Sequence, residues 1–377
     1  MSISRRELLA FSGAALASRS PLFAAPSPIT RPVAIARCKT YGNDEVLTNL
    51  KTLFDQLGGI GKLVRNKTVT VKINLTGSPG QRFEGRALGA THYTHPQVIM
   101  AAAHLMGEAG ANRIRFVESG WALSGPLEDY LLDSGWNVKQ LANSAKNVEF
   151  ENTNNLGKGR QYFRLKVPGD PYIFPAYDLN HAYHETDVFV SMAKLKNHAT
   201  CGVTLSMKNC FGITPASIYG DDAGKDEPNE TPNSGRVSAM HNGRRAPSKS
   251  ALPELDPRSS RDPGYRMPRI VAELNLARPV DLAIIDGVQT IAGGEGPWIR
   301  GLRYIEPGLL IAGLNATNTD TVATAVMGYD PRAPKGSGAF QKCDNTLLLA
   351  EKLGVGSADL SRIEVAGVPI EKAVYRF

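Results

Sequence analysis

The chain has 377 residues, of which 42% are hydrophobic and 21% charged, a balance that excludes both an unfolded polar chain and a membrane bundle. Its net charge is +7, yet no lysine and arginine run with interleaved aromatics occurs, so nucleic acid is a poor partner and a small anionic compound a better one. Four cysteines, Cys38, Cys201, Cys210 and Cys343, include no C-x-x-C pair, so no iron–sulfur cluster is expected.

In chain order, Ser4-Arg5-Arg6-Glu7-Leu8-Leu9 precedes a weakly apolar stretch, Ala10 to Ala17, and then Ala24-Ala25-Pro26. Paired arginines ahead of such a stretch predict a twin-arginine export signal. The stretch is too short to span a bilayer. The expectation is a leader over residues 1–28, use of the twin-arginine export machinery, a periplasmic or otherwise exported location, and a mature domain over 29–377 without a stable membrane span.

Helical spacing of Val46, Leu50, Leu53, Phe54 and Leu57 predicts a helix over 45–57, and the branched run from Thr68 a strand. A helix over 95–108, a strand over 113–118 and a helix over 126–134 follow, which is βα alternation and hence a mainly parallel sheet flanked by helices. Short strands around 148–151 and 162–167 read as a side hairpin. The run Asp187-Val-Phe-Val-Ser-Met-Ala is a buried strand. From Tyr219 to about Tyr265, Gly, Pro, Asp, Asn, Ser and Arg dominate, which reads as a long irregular insertion serving as a loop or lid. Its arginines, Arg236, Arg244, Arg245, Arg258 and Arg261, read as solvated charge, with closure over an anion as the alternative. Regular structure resumes with a helix over 268–276, a strand ending at Asp286-Gly287, a strand over 309–315 leading to Asp320, and a carboxyl-terminal helix and strand.

Polar residues gather at the strand ends: Lys72 and Asn74; Glu118 and Ser119; Lys194, Lys196 and His198; Asp286; Asn315 with Asp320. In a parallel sheet these ends share one edge, where ligands bind. Lys194, His198, Lys208 and Asp286 are the expected catalytic set: the lysines neutralise a substrate's charge, His198 serves as acid, base or ligand, and Asp286 orients it or binds metal. Lys72, Asn74, Lys196, Thr204, Asn209, Glu295 and Asp320 are the expected substrate contacts. His95 and His198 are the candidate ligands of a divalent metal, although no ligand-spacing motif joins them. Cys201 and Cys210 can be bridged only if their Cβ atoms approach, which a nine-residue separation does not fix.

The segment Lys194-Leu-Lys-Asn-His198, Gly202-Val-Thr-Leu-Ser-Met-Lys208-Asn-Cys-Phe-Gly212, then Pro279 to Gly287, Gly294-Glu-Gly-Pro297, and Asn318-Thr-Asp320 through Asp330-Pro331 resembles the family called domain of unknown function 362. The resemblance implies an α/β fold, a site and frequent export, but no agreed reaction. Many relatives carry aspartate where this chain has Thr324. A fainter similarity, carried by His198 ten residues before Lys208 and by Thr94-His95, is to nickel-pincer lactate racemases; it implies a lysine-tethered cofactor and isomerase or racemase chemistry. Together these readings give an exported enzyme, metal- or cofactor-dependent and of isomerase, racemase-like or hydrolytic type, acting on a small anionic or hydroxylated compound, with a non-catalytic binding protein and a redox partner protein as the alternatives.

Overall fold

A computed structural model describes residues 32–121, 124–154 and 161–377; the expected leader lies outside them. The elements run β1 (Val33–Arg37), α1 (Asn43–Gln56), α2 (Gly61–Val64), β2 (Thr68–Lys72), α3 (Pro96–Glu108), β3 (Arg113–Glu118), α4 (Leu127–Asp133), α5 (Val138–Ala142), β4 (Val148–Asn152), β5 (Tyr162–Lys166) and β6 (Ala176–Asn180). There follow β7 (Val188–Lys194), β8 (Asn197–His198), β9 (Gly202–Val203), α6 (Leu205–Asn209), α7 (Ala216–Tyr219), α8 (Pro263–Ala277), β10 (Leu282–Gly287), β11 (Thr290–Ala292) and β12 (Arg303–Ile305). The chain closes with β13 (Leu309–Gly313), α9 (Ala316–Val326), α10 (Thr346–Lys352), β14 (Val365–Gly367) and α11 (Ile370–Ala373).

Eight strands form the central sheet in the order β14-β1-β13-β10-β7-β2-β3-β4. The five from β10 to β4 are mutually parallel. β7 is buried along its whole length, as the continuous apolar run requires of a central strand covered on both faces. Alternate residues feed opposite layers: Val188, Val190 and Met192 pack with Val46, Leu50 and Ile99 from α1 and α3, whereas Phe189 packs with Ile270 and Leu274 from α8. β2, β3, β7 and β10 therefore end together, and the register pairs Asp286 with Lys194 and Lys72 with Ser191.

The α/β sandwich expected from the alternating pattern is the observed architecture, with local corrections. The first strand, β1, is not among the expected elements because it is only five residues long and follows closely on the segment expected to be a leader. β13 runs antiparallel to both neighbours, so Asn315 leaves the sheet at the end opposite Lys194, where it caps α9 by accepting from the Asn318 amide. β4 joins the main sheet beside β3 instead of pairing with β5, whose partner is β6. α8 starts at Pro263 and carries Pro268 inside its second turn.

Segment 219–265 is irregular, with one π-helical turn over Val237–His241; Arg244 and Arg258 are exposed as expected, but three of its arginines are fastened. Arg236 is buried: Nε donates to the Thr214 carbonyl at 2.6 Å and Nη2 to that of Ser119 at 2.7 Å. Arg245 donates to the carbonyls of Asp221 and Ala223. Arg261 pairs with Glu254. Among the described residues no helix is long and apolar enough to cross a membrane.

Candidate functional site

At the carboxyl edge of the parallel strands lies a cavity of about 340 Å3. Eight of the residues expected from sequence line it: Lys72, Asn74, Lys196, His198, Thr204, Lys208, Asn209 and Glu295. Glu118, Gln81, Phe211, Arg236, His241, Trp121 and Trp298 complete most of the wall.

The end of β2 delivers Lys72 and the end of β3 Glu118, whose side chains form an ion pair at 2.7 Å, almost wholly buried. Lys72 Nζ also donates to the Ile73 carbonyl and, at 3.1 Å, to Asn209 Oδ1. Asn209 returns two bonds from Nδ2 to the carbonyls of Lys72 and Met192 and a third to Ser191 Oγ, so it ties α6 to β2 and β7. Gly212 is required here, because a Cβ would stand 2.9 Å from Lys72 Nζ and 3.0 Å from Glu118 Oε1.

Beyond β7 the chain turns at once. Lys196 Nζ donates to the carbonyls of His92 at 2.6 Å and Glu295 at 3.1 Å, and burial lowers its proton affinity well below that of an ordinary lysine. The Glu295 carboxylate accepts from the Ala199 amide at 2.9 Å and Trp298 Nε1 at 3.2 Å. Burial alone would raise its pKa, but His198 and these two donors outweigh burial and hold it down to about 2. It is an anion at neutral pH.

His198 receives the Thr200 amide on Nδ1 at 3.1 Å, so the neutral ring carries its proton on Nε2. Burial pulls the pKa of His198 down to about 3, and that of His241 likewise to about 3. Such imidazoles are weak bases, and their natural role is hydrogen bonding. His241 packs edge-on against Phe211 and comes from the irregular segment, which thereby supplies the cavity with its second histidine.

Lys208 stands apart. α6 begins at Leu205, held in the left-handed region at φ 44°, a costly conformation for a leucine, and this entry places Thr204 and Lys208 on the cavity. Lys208 Nζ sits 4.3 Å over the Phe211 ring. Among the described residues it has no hydrogen-bond or ion-pair partner. Burial lowers its pKa as well. Asp320, an expected substrate contact, is instead buried behind the helix, accepting the Ser206 and Met207 amides at 2.8 and 2.7 Å. Burial pushes its carboxyl up to about 8 although both amides act the other way.

Lys194, Asp286 and His95 do not line the cavity. They belong to a separate buried network in which Lys194 Nζ meets Asp286 Oδ2 at 2.8 Å with neither side chain exposed. Tyr41 accepts from Lys194 and donates to Asp286 Oδ1, each at 2.9 Å, and the amides of His95 and Val288 complete the carboxylate's shell. The His95 ring stacks on Tyr41 and caps α3 by accepting the Gln97 amide. His95 and His198 are thus held in different environments and do not form the expected metal pair. Among the described residues no group of three or more His, Cys, Asp or Glu could hold a metal ion. Cys201 and Cys210 are free, buried thiols.

The sequence reading passed over Trp121 and Trp298, which flank the opening at 44% and 42% exposure. The signal was available: Trp121 stands three residues past the end of β3, and Trp298 directly follows the Gly-Glu-Gly-Pro run. With Lys72, Lys196, Lys208 and Arg236 against Glu118 and Glu295, the cavity has more basic than acidic side chains between aromatic walls. That combination is chemically suited to an anion with an apolar or planar body.

A family model described as a domain of unknown function (DUF362) matches residues 69–325, more than half of the chain. Over 307 residues the chain is 26% identical to a thylakoid-associated protein of Synechocystis sp., covering 80% of this chain and 76% of that protein. A crystal structure of a protein from Thermotoga maritima superposes with a TM-score of 0.36 at 11% identity, covering 71% of this chain and 55% of the other, so that the chain spans about half of that structure's length.

Proposed function

The chain belongs to the domain of unknown function 362 family, and on that premise we propose that it is an exported enzyme whose cavity takes a small anionic or hydroxylated compound. The observation that carries this reading is the uncommitted Lys208 ammonium or amine in a cavity whose other cations are already bonded. Lys72 is neutralised by Glu118, Lys196 is spent on two carbonyls, and Arg236 is anchored through Nε and Nη2 to Thr214 and Ser119, which leaves only Nη1. A lysine held in this way, with nothing to pair with, is a place for a ligand's charge. The Lys194–Asp286 pair is assigned to the scaffold, because each member is saturated by the other's network.

Lactate, malate and glycerol phosphate are suitable calorimetric probes. Lys208→Met is expected to weaken the best of them by at least about tenfold, the equivalent of roughly 1.4 kcal/mol, with the melting temperature little changed. Equal affinity in the variant, or no binding by any probe, would overturn the reading. Turnover of a bound probe separates an enzyme from a binding protein using the same cavity.

Export rests on Arg5 and Arg6 in the leader-like segment and draws support from the thylakoid association of the Synechocystis relative. The double substitution Arg5→Lys with Arg6→Lys is expected to leave the chain in the cytoplasmic fraction of a host with a twin-arginine pathway. Unchanged export would remove this part of the reading.

A further inference from the structure

We propose that Lys208 is a nucleophile that forms an imine with the carbonyl of a small oxo acid bound in the cavity. The inference rests on the reading of the cavity as an anion site and names the reactive class of its ligand. Three features carry it. First, Lys208 Nζ lies over the Phe211 ring on a cavity wall and has no hydrogen-bond acceptor or ion-pair partner among the described residues, so the ring face and the more distant Glu295 charge favour its ammonium form, and burial works against them. Second, His198 lines the same cavity, and with Nδ1 occupied by the Thr200 amide its neutral ring has Nε2–H as the donor it can offer a carbonyl oxygen. Third, Arg236 lines that cavity with Nε and Nη2 committed, while its Nη1 has no hydrogen-bond partner among the described residues and is free to receive a carboxylate. Burial keeps a larger share of Lys208 as free amine at neutral pH.

The step balances within the named groups. The Lys208 nitrogen attacks the carbonyl carbon, a C–N bond forms and the C=O π bond opens to a carbinolamine. The C–O bond then breaks, the nitrogen lone pair closes the C=N bond, and oxygen leaves as water carrying both hydrogens of the original amine. Nothing is oxidised or reduced. Trp121 and Trp298 flank the opening on which the remainder of the oxo acid would rest.

The test uses the full chain with pyruvate and, separately, phenylpyruvate, each with sodium cyanoborohydride, followed by peptide mass mapping; calorimetry of the same two acids runs in parallel. The expected result is an N-carboxyalkyl group on the peptide bearing Lys208, formed at least several-fold faster than on the exposed Lys51. In Lys208→Arg the Lys51 label persists and the site label disappears; wild-type mapping by itself decides the matter if that variant melts early. Binding of either acid by calorimetry without labelling of Lys208 above the Lys51 rate overturns the imine and leaves the anion site standing. Neither binding nor labelling overturns both.

Discussion

Lys194, Lys196 and Lys208 stand within fifteen residues of one another and meet three different fates. Lys194 is locked to Asp286 in a fully buried pair, Lys196 is spent on two carbonyls, and Lys208 lines the cavity with the Phe211 ring beneath it and no hydrogen-bond or ion-pair partner among the described residues. The sequence could not rank them, because a lysine's role depends on which acceptor the fold brings within 3 Å. The buried pair makes a sharp prediction. Asp286→Ala leaves the Lys194 ammonium and Tyr41 hydroxyl facing an emptied, dry site, so urea unfolding should show a loss of about 3–5 kcal/mol. A loss below about 1 kcal/mol would mean that the network is wet or dispensable.

At the scale of elements, α6 is the piece on which the cavity depends. It is five residues long, too short to be stable by itself, and it starts from a strained Leu205. Asp320 on α9 anchors it through the amides of Ser206 and Met207, while Asn209 binds its far end to β2 and β7. Asp320→Ala orphans two buried amides at the helix start. The expected cost is about 1–3 kcal/mol in denaturant unfolding, with a parallel loss of affinity for whichever anionic probe binds, since Thr204 and Lys208 ride on the same turn. Destabilisation with unaltered affinity would show that α6 keeps its place without the anchor. The i,i+4 relation of Thr204 and Lys208 was legible in the sequence; the carboxylate that supports them, more than a hundred residues later, was legible only as a polar residue near a strand.

Across the whole molecule, burial keeps four histidines neutral: His92 at about 2, His95 at about 4, and His198 and His241 at about 3. An unfolded histidine titrates near 6.5, so below that pH the unfolded chain binds more protons and folding stability falls as pH drops toward 4. Burial raises Glu273 to about 7 and Asp320 to about 8, which works in the opposite direction over the same range. A variant isolates the histidine contribution: His241→Gln should lose less stability than wild type between pH 7 and 5, by on the order of 1–2 kcal/mol in paired urea titrations. Identical pH profiles would place His241 in contact with water. The sequence by itself determined the α/β alternation, the run of β7, the ordering of polar residues at strand ends and eight residues of the cavity wall, because side-chain periodicity and strand direction are local properties. Only the tertiary structure decided that β13 reverses and takes Asn315 away, that Lys194, Asp286 and His95 form a closed network outside the cavity, and that the polar segment 219–265 turns Arg236 and His241 inward. Each of those outcomes depends on contacts between chain-distant residues, whose energies are set by who is buried against whom and leave no mark in local spacing.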